Sequence, residues 1–145
     1  MTKWLIIAAL VFFGTGPKEI AKINRLKKEA QEAFERLDFE TAAQKYNFLK
    51  DSLGLEDPEI ALNLAHSYYQ MADTASAKDV YGQLSMRAPA KEKSIALQQL
   101  GVMAKTPTTL EQSLQYLKSS LKADPSNEGA RYDYEVVKKL LEQQK

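Results

Sequence analysis

His66 is the only histidine in the chain, and no second metal-binding side chain stands near it at ligand spacing. No serine or threonine can be set against it at a definable distance as a nucleophile, so neither a triad nor a zinc site can be assembled around it. Cysteine is absent, which removes disulfides, thiolate nucleophiles and cysteine metal sites together. Glycoside hydrolysis needs two carboxylates across one cleft, and no such pair can be placed. Lys and Arg number 20 against 19 Asp and Glu, interspersed along most of the length. No basic stripe with interleaved aromatics follows from them, which argues against nucleic acid. The residue types point to recognition and away from catalysis: no catalytic, metal or cofactor residue is expected, and no cofactor.

The elements that would position recognition residues begin after a distinct N-terminus. Trp4 to Phe13 is unbroken apolar sequence, and no charge occurs between Lys3 and Lys18. As a helix this stretch would be roughly 20 Å long at ~1.5 Å per residue, against about 30 Å of bilayer hydrocarbon. That is short for a span and typical of a secretory signal's apolar region. Gly14 and Gly16 suit a cleavage site, but Pro17 would then follow the scissile bond and obstruct extended binding. The reading is an uncleaved anchor over residues 1–16, touching membrane through 4–16, with Lys18 and Lys22 snorkelling to headgroups. A cleaved signal peptide is the alternative. Charge counting, with Lys3 before the segment and Lys18, Lys22, Arg25, Lys27 and Lys28 after it, places the domain in the cytoplasm. The usual insertion of a signal-length segment places it on the other side.

From Pro17 onward the pattern is helical, and 44% hydrophobic with 27% charged residues describes a globular chain. Ile20, Ile23, Ala30, Phe34 and Leu37 recur at helical spacing. Hairpins are expected at about 17–54, 58–88 and 90–124, with a capping helix over 127–143. Turns fall at Leu37-Asp38-Phe39, at Ala72-Asp73 and at Thr106-Pro107-Thr108-Thr109, where Thr106 or Thr109 is expected to cap a helix. Four extra residues before Pro58 read as an added helical turn. Ser126 or Asn127 is expected to cap the last helix, whose Tyr132 and Tyr134 read first as packing on the third hairpin.

Small residues stand where paired helices must cross closely: Ala65 with Ala77, and Gly101 with Ser113. Tyr68, Tyr81 and Leu117 are expected to fill the space between hairpins. Leu64, Ala65, Tyr68, Ala77, Tyr81 and Pro89 follow the pattern L-G-x2-Y, A-x3-F, P, with Ala in place of Gly. Leu97, Leu100, Gly101, Leu110, Ser113, Ser120 and Pro125 follow it again, and Leu26, Ala30 and Ala42 follow it loosely. Leu64 to Pro125 therefore resembles the tetratricopeptide repeat family, and Leu26 to Lys50 resembles a divergent first repeat. The resemblance implies an all-α, right-handed superhelical stack of three hairpins with a capping helix. In that family the first helices of successive hairpins line a groove that binds an extended peptide or a helix. The groove positions are then Lys27, Gln31 and Phe34; Leu62, His66 and Tyr69; and Gln98, Val102 and Lys105.

The tail from Asp124 to Glu135, followed by KKLLEQQ, is similar to repeat segments of the Bacteroides aerotolerance (Bat) proteins. That likeness implies a bacterial inner-membrane location and partners among von Willebrand factor A domain membrane proteins, and the usual insertion of the N-terminal segment puts the domain on the periplasmic side. It implies a non-catalytic adaptor for a multiprotein complex. The alternatives are an accessory subunit of an envelope enzyme or secretion machinery, or a soluble periplasmic peptide-binding module. One subgroup of the family clamps the C-terminal carboxylate of chaperones. Lys27 and Asn63 match that clamp, but Gln31, Ile95 and Gln99 replace its other residues, so a chaperone tail is disfavoured.

Overall fold

The computed structural model describes residues 16–145, so the expected N-terminal anchor lies outside the described residues. Among the described residues the chain is all-helical. The helices are α1 (Pro17–Glu35), α2 (Phe39–Asn47), α3 (Pro58–Gln70), α4 (Thr74–Arg87), α5 (Ala90–Met103), α6 (Leu110–Ala123) and α7 (Glu128–Gln143). Each packs against its successor, and α5 also touches both α3 and α7.

The first two hairpin turns are built alike. Asp38 N–H donates to Ala33 O (2.9 Å) and Leu37 N–H to Phe34 O (3.0 Å), a Schellman closure of α1. Asp73 N–H to Tyr68 O (2.9 Å) and Ala72 N–H to Tyr69 O (3.0 Å) repeat it at the end of α3. Leu37 and Ala72 accordingly take positive φ, 63° and 60°. The following aspartates cap the next helices: Asp38 accepts from Thr41 N–H and Asp73 from Ser76 N–H, both at 3.2 Å. Leu37 therefore leaves the apolar stripe of α1 and is 72% exposed. Ile20, at the other end of that stripe, is also exposed.

The third turn differs from its expected chemistry. Thr109 occupies the N-cap position of α6 but makes no capping bond. Its hydroxyl donates instead to Ala104 O (2.6 Å) and lies 2.6 Å from the Thr106 hydroxyl. Asn127 caps α7 as expected, accepting from Ala130 N–H at 3.0 Å.

The extra residues before Pro58 are not one more α-helical turn. The end of α2 widens into a π-helical turn, Phe48–Ser52, with Leu53 N–H bonded to Phe48 O (3.0 Å). Gly54 then turns the chain at a φ of 63° into a loop that ends at Asp57, which caps α3 by accepting from Glu59 N–H (2.9 Å).

Small residues let the paired helices approach. Ala30 and Ala42, and Ala65 and Ala77, are fully buried. Ser113 Oγ donates to Gly101 O at 2.6 Å, so α5 and α6 are hydrogen-bonded through the crossing itself. Ser94 and Ser120 do the same at the other end of that pair, each hydroxyl donating to the other's carbonyl (2.9 and 2.7 Å). Tyr81 and Leu117 are fully buried as expected, while Tyr68 is half-buried against the core.

Candidate functional site

The expected groove positions separate into those engaged within the fold and those left facing solvent. Leu62 is 8% exposed and belongs to the core, so it presents no surface to a partner. Phe34 packs edge-on against Phe39, with ring centroids 5.3 Å apart. Lys27 reaches across to Asp57 (3.1 Å), tying α1 to the start of α3. Burial raises the Asp57 carboxyl, but Lys27 and the Glu59 N–H outweigh it and hold Asp57 below the usual carboxylate range. Gln98 donates to the Asp133 carboxylate at 2.8 Å, across to α7. Gln31 donates to Glu35 one turn on (2.9 Å) and stays exposed.

The remaining positions share one layer. The contacts of α5 with α3 and with α7 set these alternate helices side by side. Tyr69 on α3 is 38% exposed, Val102 on α5 is half-buried and Lys105 is exposed. Val102 stands one turn after Gln98, so it shares the side of α5 from which Gln98 meets α7.

His66 is set between core and surface. Its Nδ1 is hydrogen-bonded to the hydroxyl of the fully buried Tyr81, with the rings edge to face at 5.6 Å. Burial raises the Tyr81 phenol, which stays protonated, and lowers the His66 imidazole, which stays neutral. The pair is thus a hydrogen bond between two uncharged groups, whose direction follows the imidazole tautomer.

The layer continues where the groove positions stop. On α7, Ala130 and Val137 are buried, and Val137, Tyr134 and Leu141 pack with Leu110 and Leu117 of α6. Asp133 faces α5. Continuing round the helix past Asp133 come Leu140, Val136 and Tyr132, an apolar stripe with one residue per turn. Tyr132 is 72% exposed, so it is not the packing residue expected, whereas Tyr134 is. The signal for this stripe was in the sequence as a second apolar spacing on α7, beside the one that packs.

Two clefts open along α4. The larger, of about 470 Å³, lies between the Gly54–Pro58 loop and the second half of α4. The smaller, of about 340 Å³, lies between Asn47–Asp51 and the first half of α4. None of the nine expected groove residues lines either cleft. Among the described residues no cluster of His, Asp or Glu is placed to hold a metal ion, and no helix is long and apolar enough to cross a membrane. No family model and no curated protein matches the chain.

Proposed function

We propose that this chain is a non-catalytic adaptor that holds protein partners on the layer formed by α3, α5 and α7. The observation that supports the reading is the contact of α5 with both α3 and α7, which sets helices carrying exposed Tyr69 and Tyr132 on either side of half-buried Val102, with exposed Lys105 just beyond α5. Three stacked hairpins closed by a seventh helix support a tetratricopeptide-like superhelix. Contact between alternate helices on the α3/α5/α7 side is what a stack curving toward that side requires. Exposed aromatics on a rigid helical layer suit recognition, since Tyr supplies large contact area with few rotatable bonds. The apolar residues 4–13 would tether this domain to a bacterial inner membrane, facing the periplasm, where it would help assemble a complex of membrane proteins.

The test is affinity capture of the full chain from native membranes with mass spectrometry, beside a Tyr69→Ala/Tyr132→Ala variant. The reading expects one or more proteins in near-stoichiometric yield, reduced at least tenfold by the double variant at unchanged melting temperature. Capture of a bound small molecule and no protein would overturn it.

A further inference from the structure

We propose that α7 is a latch on the partner layer, releasing from α5 and α6 about Asp124 while α1–α6 stay folded. The apolar core that runs from α1 to α5 does not extend to α7. Val137, Tyr134 and Leu141 pack instead in a second, smaller cluster with Leu110, Leu114 and Leu117 of α6. Ala130 and Val137 are the buried residues of α7, against Ala77, Val80, Tyr81 and Leu84 of α4. Helices with so small an apolar hold open separately from the core.

The helix at the other end of the stack is held differently. Ile23, Leu26, Ala30, Ala33 and Phe34 of α1 join the main core. Lys27 pairs with Asp57 (3.1 Å) and Glu29 with Lys45 (2.7 Å), tying α1 to the cap of α3 and to α2. No ion pair among the described residues joins α7 to another helix. Its polar ties are hydrogen bonds from side-chain amides. Asn127 Nδ2 donates to Ser94 Oγ (3.0 Å), Gln98 Nε2 to the Asp133 carboxylate (2.8 Å) and Gln144 Nε2 to Pro107 O (2.9 Å). Water replaces such bonds when the helix lifts, so their release costs little.

The pivot and the body it leaves are both defined. Asp124 ends α6 in extended conformation, with a φ of −141° and a ψ of 98°. Arg131 donates to Pro125 O (2.6 Å), so the turn travels with α7. Asn127 links docking to the helix start, since its Oδ1 caps α7 while its Nδ2 reaches Ser94. Behind it, α6 stays fastened to α5 through Ser94 with Ser120 and Ser113 with Gly101.

The consequence for partners rests on the adaptor reading, whereas the opening does not. Tyr132, Val136 and Leu140 belong to α7 and leave the layer with it. A protein that touches α7 and α5 together therefore binds the closed form and holds it shut.

Hydrogen exchange on the full chain in detergent, read by mass spectrometry with no partner present, tests the opening whatever the layer binds. Amides from Arg131 to Gln143 should exchange at least tenfold faster than the slowest amides of α3 and α4. They should still exchange at least tenfold slower than an unstructured chain. Asn127→Ser keeps a capping side chain but lacks the donor to Ser94, and Gln98→Ala removes the bond to Asp133. Each should speed α7 a further threefold or more and leave α3 and α4 unchanged. Exchange of α7 at the rate of α3 and α4, or at the unstructured rate, would overturn the proposal. So would variants that speed every helix equally, or that leave α7 at its wild-type rate.

Discussion

Gly101 lies so close to Leu117 that a Cβ on Gly101 would stand 2.8 Å from Leu117 Cγ and 3.3 Å from Ser113 O. Leu117 is fully buried and cannot swing aside. The approach of α5 to α6 thus depends on the missing side chain. Gly101→Leu is expected to destabilise the fold by about 1–3 kcal/mol or more through overpacking. Leu117→Ala alone should cost about 2–5 kcal/mol, but less than that in the Gly101→Leu background, because the deleted atoms make room for the added ones. Urea unfolding of the two single variants and the double variant checks the coupling, and additive losses would mean that the two residues do not share this space.

Leu37 and Ala72 hold left-handed backbone that glycine adopts without cost. For other residues the cost is roughly 1–2 kcal/mol, offset by about 0.5–1 kcal/mol of extra chain entropy that glycine loses on folding. Leu37→Gly and Ala72→Gly should therefore each stabilise the fold by about 0.5–1 kcal/mol. Ala104, which ends α5 at a φ of −87°, offers no such strain to relieve, and Ala104→Gly should destabilise slightly. Thermal melts of the three variants distinguish these signs.

The His66–Tyr81 pair gives stability a pH dependence. Burial holds the folded imidazole below its usual value of 6.5, so the unfolded chain binds the proton first as pH falls. Its contribution is complete above the unfolded value and is lost as pH drops through the folded one. Between about pH 7 and pH 5 the urea midpoint should fall more steeply for the wild-type chain than for His66→Gln. Asp38 and Asp124 are both held low by hydrogen bonds from the side chain and backbone of their partners. Their losses come at more acidic pH and are common to both proteins. Parallel slopes would contradict a folded imidazole held below its usual value.

The positions legible in the sequence are those fixed by helix crossing. Ala30, Ala42, Ala65, Ala77, Gly101 and Ser113 stand out as small residues at the repeat pattern's crossing positions, and all are buried. What escaped was set by tertiary context. Leu37 follows the apolar spacing of α1 but is turned outward by the Schellman closure. Leu62 sits at a groove position by register, yet it is buried in the core. Thr109 has a capping side chain whose hydroxyl is taken by Ala104 O. The π-helical turn has no residue signature that separates it from an added α-helical turn. The stripe Tyr132, Val136 and Leu140 was masked by the stronger packing stripe on the same helix.

The central claim is that partners are held on the α3/α5/α7 layer, and photo-crosslinking from single positions in native membranes tests it most directly. A photoreactive residue placed in turn at Tyr69, Val102 and Tyr132 should capture the same partner protein. One placed at Met86, which is 69% exposed on α4, should not capture it. Capture of that partner from Met86, with none from Tyr69, Val102 or Tyr132, would contradict the account.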